Sequence, residues 1–124
     1  MSTPILDGIA DVVTALETTG ARVYYPAPTI PVPPCYVIRD ELAWYEPAAI
    51  GSASWAVNLT IESFSDSKQI AAGHTKAAEM QWDAMTALAT ISSARQAAAP
   101  RIVDLDAQGS AMAAALSITI NIKE

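Results

Sequence analysis

The stretch Ser54-Trp55-Ala56-Val57-Asn58-Leu59-Thr60-Ile61-Glu62 alternates without a break. Side chains of an extended chain point to opposite faces in turn. Trp55, Val57, Leu59 and Ile61 therefore share one face, and Ser54, Ala56, Asn58, Thr60 and Glu62 share the other. The pattern predicts a strand with one buried and one wetter side. The same texture returns near the end of the sequence, where Leu116, Ile118, Ile120 and Ile122 oppose Ser117, Thr119, Asn121 and Lys123. Just before it, Arg101 to Asp106 alternates Ile102, Asp104 and Asp106 against Val103 and Leu105, and Gln108-Gly109-Ser110 reads as a turn, so a closing hairpin is expected.

Upstream of the deciding stretch, Cys35 to Arg39 reads as a strand, with Ala43 to Glu46 continuing it past an irregular step at Asp40-Glu41. Pro47 to Ser52 is then a turn or hairpin loop. Ala21 to Tyr25 reads as a short strand. Five of the eight prolines follow it, between Pro26 and Pro34. Proline lacks an amide donor and fixes φ, so this segment is expected to be a stiff extended loop, either a connector across one end of the sheet or an arm that meets a partner.

Two helices are expected. Thr3-Pro4 is a start signal, Ile5, Leu6, Ile9, Val12, Val13 and Leu16 form an apolar stripe, and Gly20 is a stop, giving a helix over about 4–19. Asp66 and Gln69 resemble a capping box ahead of strong helix formers that run from Lys68 to about Ser92. Its expected inner stripe is Ala71, His74, Ala78, Trp82, Met85 and Ala89, with Leu88 at one edge. Ser93 to Pro100 is alanine-rich, either a frayed helical end or a loop. The fold class is therefore α+β: one domain over 1–124, with a single mainly antiparallel sheet of four to five strands. An N-terminal helix and one long central helix pack on it, in the order α-β-β-β-α-β-β.

Composition narrows the function. Apolar residues make up 52% of 124, a figure inflated by alanine, and thirteen acidic against seven basic residues leave a net charge of −6. With Lys and Arg scattered along the chain, this opposes sequence-specific nucleic-acid recognition, while an acidic wall past which DNA slides stays compatible. Apolar runs are too short to span a bilayer, and acidic residues interrupt the first thirty positions, so a protein made in the cytosol is expected. The single cysteine, Cys35, fits that setting.

Nothing in the sequence assembles a reaction centre, and no catalytic, cofactor-binding or metal-binding residues are expected. His74 is the single histidine and reads as a buried or half-buried helical residue; Cys35, between Pro34 and Tyr36, reads as a small core hydrophobe. Asp104 and Asp106 share a strand face, either solvated or able to meet a hard cation. The five glycines never cluster, so no phosphate-cradling loop is present. Trp44, Tyr45 and Ile50 lie beside a turn and are either core plugs or interface anchors. With Pro31 and Pro33 of the proline loop they are the candidate partner-interface residues. The outward faces Ser54, Ala56, Asn58, Thr60 and Ala115, Ser117, Thr119, Asn121 are small and nearly uncharged, the kind easily buried against a neighbour.

The helix closed by glycine, the proline-rich crossover into Pro33-Pro34-Cys35-Tyr36-Val37-Ile38, the strand ending in Glu62-Ser63-Phe64-Ser65-Asp66-Ser67, the long helix and the closing hairpin together resemble the tail terminator proteins of siphophages, the actinobacteriophage ones above all. The resemblance spans nearly the whole chain and lies in element order and texture. It implies a structural virion protein that forms a homo-hexameric ring and caps the tail tube, with DNA passing through the lumen. Its partners would be other copies of itself, the tail tube protein and the head-tail connector or neck protein. Its place would be the head-proximal end of the tail, after synthesis in the host bacterial cytoplasm. A head-completion or neck subunit is the alternative within that class. A small α+β binding or enzyme-like module, with a pocket lined by Trp44, Tyr45 and Trp55, is the alternative outside it.

Overall fold

The computed structural model describes residues 4–26, 32–47, 54–66, 69–104 and 110–123, with the main chain alone for 42–47, 54, 104, 110 and 123. Its elements run α1 Pro4–Glu17, β1 Arg22–Tyr24, β2 Cys35–Pro47, β3 Ser54–Phe64, α2 Ile70–Ala87, β4 Ser93–Asp104 and β5 Ser110–Lys123. The sheet order is β1-β2-β3-β5-β4. Three pairings are antiparallel, and β1 runs parallel to β2, so the sheet is mixed. This is the expected α+β class and element order.

The deciding stretch occupies the centre. β3 pairs with β5 in unbroken register, from Ser54 opposite Lys123 to Phe64 opposite Ala113. Both apolar faces then point to one side, where Val57, Leu59, Ile61, Leu116, Ile118 and Ile120 are buried. Both helices pack there. α1 contributes Ile9, Val12 and Leu16, each 1% exposed or less, and complete burial of such a side chain is worth about 1.5–3 kcal/mol. An added Cβ at Gly8 would lie 2.8 Å from Ile122 Cδ1, so glycine lets α1 approach the end of β5 closely. Gly20, at φ +88°, ends the helix in the left-handed region.

Three expectations need correction. First, α2 is rotated about its axis: Gly73, Ala77, Met80 and Ala84 face the core with Leu88, whereas His74 and Trp82 are exposed and Ala78 and Met85 are half-buried. The smallest residues allow the closest approach, and Ala77 packs on Met112 and Ala114. Second, α2 is shorter than expected. Gln69, in extended conformation, takes the N-cap position with no side-chain capping bond, so Asp66 does not open the helix. At the other end, the Ser92 amide and hydroxyl donate to the Leu88 carbonyl at 3.0 and 2.9 Å and turn the chain back. Third, Ser93 to Pro100 is strand, not helical end or loop. The long edge of β5 supplies a pairing ladder, and tertiary pairing overrides alanine's weak strand preference.

Strand irregularities bend the sheet. β2 carries three extra residues between the pairs Asp40–Leu59 and Tyr45–Val57, at the irregular step expected near Asp40-Glu41. β4 has one extra residue between Ala94 and Gln96 and another between Ala98 and Arg101. Such bulges kink a strand and increase its twist.

Candidate assembly surface

The outer side of α2 is the first candidate. Trp82 is 65% exposed at its middle, and His74, Thr75, Ala78, Glu79 and Asp83 surround it in a shallow depression of about 450 Å³. Two carboxylates, Glu79 and Asp83, flank the indole there, and tryptophan is among the commonest anchors of protein interfaces.

The second is the face of the sheet turned away from the helices. Among the described residues no helix covers it, yet Cys35, Val37, Phe64, Ala111 and Ala113 are buried there, with Tyr24 and Val103 packed against them. Arg95 on β4 makes an ion pair with Glu41 on β2, although β3 and β5 lie between, a span of roughly 14 Å in a flat sheet. The extra residue in β4 turns Arg95 onto this face, where it also donates to the Ile118 carbonyl at 3.1 Å. Thr60 donates to the same Glu41 at 3.1 Å, Thr119 donates to Asn58 at 2.9 Å, and Arg39 pairs with Glu62.

Register places the remaining arginines on the same side. Arg22 is opposite Cys35, and Arg101 is opposite Ala113. All four arginines of the chain therefore stand on the helix-free face: Arg22, Arg39, Arg95 and Arg101. Glu41 and Glu62 are the carboxylates paired with two of them. Basic residues that are scattered in sequence converge in space. Beside the small, uncharged residues expected on the outward strand faces, the same side carries the ion pairs Arg39–Glu62 and Arg95–Glu41, and Asn58 is 8% exposed. The signal was present in the alternation: Cys35, Val37 and Arg39 occupy one face of β2, but the strand pairing needed to bring Arg22, Arg95 and Arg101 alongside cannot be read from composition.

A cleft of about 570 Å³ is the third candidate. It lies between Gly8 and Asp11 of α1, the turn Ala89–Ser93 and Ile120–Ile122 of β5. It is distant in sequence from the Trp44, Tyr45 and Trp55 group expected to line a pocket.

Of the candidate interface residues, Pro33 is half-buried where the chain enters β2. Trp44 and Tyr45 belong to β2, in the irregular stretch, and their side chains lie outside the described residues, as do Pro31 and Ile50 altogether. Asp106 and the Asp104 side chain lie outside them too. Cys35 is buried, and burial pushes its thiol up to about 11 against the opposing pull of the Arg22 guanidinium. That environment suits a core hydrophobe and disfavours a thiolate. His74 is exposed, which corrects the buried or half-buried position expected for it. Among the described residues no group of three or more His, Cys, Asp and Glu could hold a metal ion, and no helix is long and apolar enough to cross a membrane.

No protein-family model and no curated protein matches this chain.

Proposed function

We propose that this protein is a structural subunit that assembles with copies of itself, and that it serves as a tail terminator: a ring that caps a siphophage tail tube and forms the tail side of the head-tail joint. The observation that carries the assembly reading is Trp82, 65% exposed on the outer side of α2. Leaving a tryptophan in water forgoes a burial energy of about 1.5–3 kcal/mol, and a partner surface would recover it. The β4 edge of the sheet is a poor alternative for association, because two bulges and Pro100 interrupt it, devices that discourage strand addition. The terminator role, the six-membered ring and the tube and neck partners rest on the resemblance in element order and texture.

Light scattering from micromolar to millimolar concentration tests the assembly, and co-sedimentation with polymerised siphophage tail tube tests the role. Concentration-dependent growth to a closed oligomer and retention on tube ends are expected. A chain that stays monomeric and ignores tubes overturns the reading.

The 570 Å³ cleft favours a second reading, a small ligand-binding module. A compound that raises the melting temperature, and whose effect is lost in Asn121→Trp, would support it.

A further inference from the structure

We propose that the arginine-bearing face of the sheet is the docking surface for the helical layer of a second copy, so that subunits join front to back. This rests on the assembly reading and names the two surfaces that would meet. The argument is charge complementarity within a chain of net charge −6. The helix-free face carries Arg22, Arg39, Arg95 and Arg101, and among the described side chains the carboxylates Glu41 and Glu62 on it are already engaged by two of them. Arg22 and Arg101 are exposed and have no ion-pair partner among the described residues.

The opposite side of the molecule is acidic. α1 bears Asp7, Asp11 and Glu17 with no basic residue, and α2 bears Glu79 and Asp83 against Lys76. Opposite charges on opposite sides make each copy attract the back of the next. A contact between two different patches of the same chain is heterologous, and it closes into a ring if the rotation allows. Trp82 sits between Glu79 and Asp83 at the middle of the acidic side. An arginine that meets those carboxylates also meets the indole face, to which guanidinium groups are attracted. Tryptophan and arginine are the residues that most often dominate binding energy at protein interfaces.

Charge reversal with rescue tests this. One variant carries Arg22→Glu and Arg101→Glu; the other carries Glu79→Arg and Asp83→Arg. All four positions are exposed, so both variants should keep the wild-type circular dichroism spectrum and melting temperature. Each alone presents like charge on both sides, and its association should weaken by about tenfold or more. The equimolar mixture should assemble again, because every front then meets an opposite back. Wild-type association should also weaken by about tenfold when salt rises from about 0.05 to about 0.5 M.

Variants that associate as the wild type does overturn this inference and leave the assembly reading standing. Weakened variants that the mixture does not rescue overturn it too, because the arginine face then has another occupant. If the first variant loses binding to duplex DNA while its self-association is unchanged, the face belongs to phosphates and the inference falls. A wild-type chain that is monomeric throughout overturns both readings at once.

Discussion

The Tyr36 hydroxyl donates a 2.7 Å hydrogen bond to the main-chain carbonyl of Met80, tying the second strand to the middle of the long helix. Both residues are buried, and Tyr36 is among the largest side chains fully removed from solvent. The bond sets how far α2 can slide along the sheet. Tyr36→Phe removes the donor and keeps the ring. A carbonyl inside a helix retains its own i+4 partner, so the loss should be near the net worth of one hydrogen bond, about 1 kcal/mol. Urea denaturation should show that decrease with an unchanged slope. A loss under a few tenths would mean that the bond does not hold the helix in place.

Gly20 offers a separable test of the first turn. At φ +88° it adopts the left-handed conformation, and an added Cβ would meet no atom within 4 Å. Any penalty for Gly20→Ala is therefore conformational, about 1–2 kcal/mol, while Gly20→Asn should lose less because asparagine tolerates that region. Thermal melts of the three chains should rank Gly, Asn, Ala.

How much of this was legible from the sequence depends on which residues carry the information. β3 and β5 were plain because Trp55 to Ile61 and Leu116 to Ile122 alternate strictly, and such a pattern has one way to bury its apolar side. Gly20 and Pro4 marked the ends of α1 because each has a special backbone requirement. The rotation of α2 was hidden: the stripe through Ala71, Ala78 and Trp82 is bulkier and more apolar to the eye than Gly73, Ala77 and Ala84, but close approach to a sheet favours the smaller residues. The strand at Ser93 to Pro100 was hidden because its conformation is set by β5, a partner that follows it. The arginine face was invisible for the same reason, since Arg22, Arg39, Arg95 and Arg101 meet only through pairing.

Alkaline pH should weaken the fold through two groups. Burial pushes the Cys35 thiol from 9.0 up to about 11, and burial with the Asp40 hydrogen bond pushes the Tyr25 phenol from 10.0 to about 12. In each case the folded chain holds its proton longer than the unfolded chain does. The stabilising contribution is complete below the unfolded value and is lost as pH rises to the folded one, between about 9 and 11 for Cys35 and about 10 and 12 for Tyr25. Stability measured by urea should therefore fall across pH 9–11, and Cys35→Ala should flatten that decline. A thiol reagent at neutral pH should react with the native chain far more slowly than with the denatured one; equal rates would contradict the burial of Cys35.

Opposite sides of α2 should respond in opposite ways. Ala77 is fully buried against Met112 and Ala114, so Ala77→Leu forces extra atoms into a closely packed seam and should destabilise the monomer by about 1–3 kcal/mol or more. Trp82 projects from the other side, and Trp82→Ala should leave monomer stability within about 0.5 kcal/mol, the usual range for exposed positions. The same change should weaken self-association by about tenfold or more, since truncating a central aromatic anchor removes roughly 2 kcal/mol of binding. Denaturation at low concentration reads the first quantity, and sedimentation equilibrium reads the second. If Trp82→Ala instead unfolds the monomer, the indole belongs to the core and α2 does not present it to a partner. If it changes neither quantity, the stripe is an ordinary solvated surface and the assembly must use other residues.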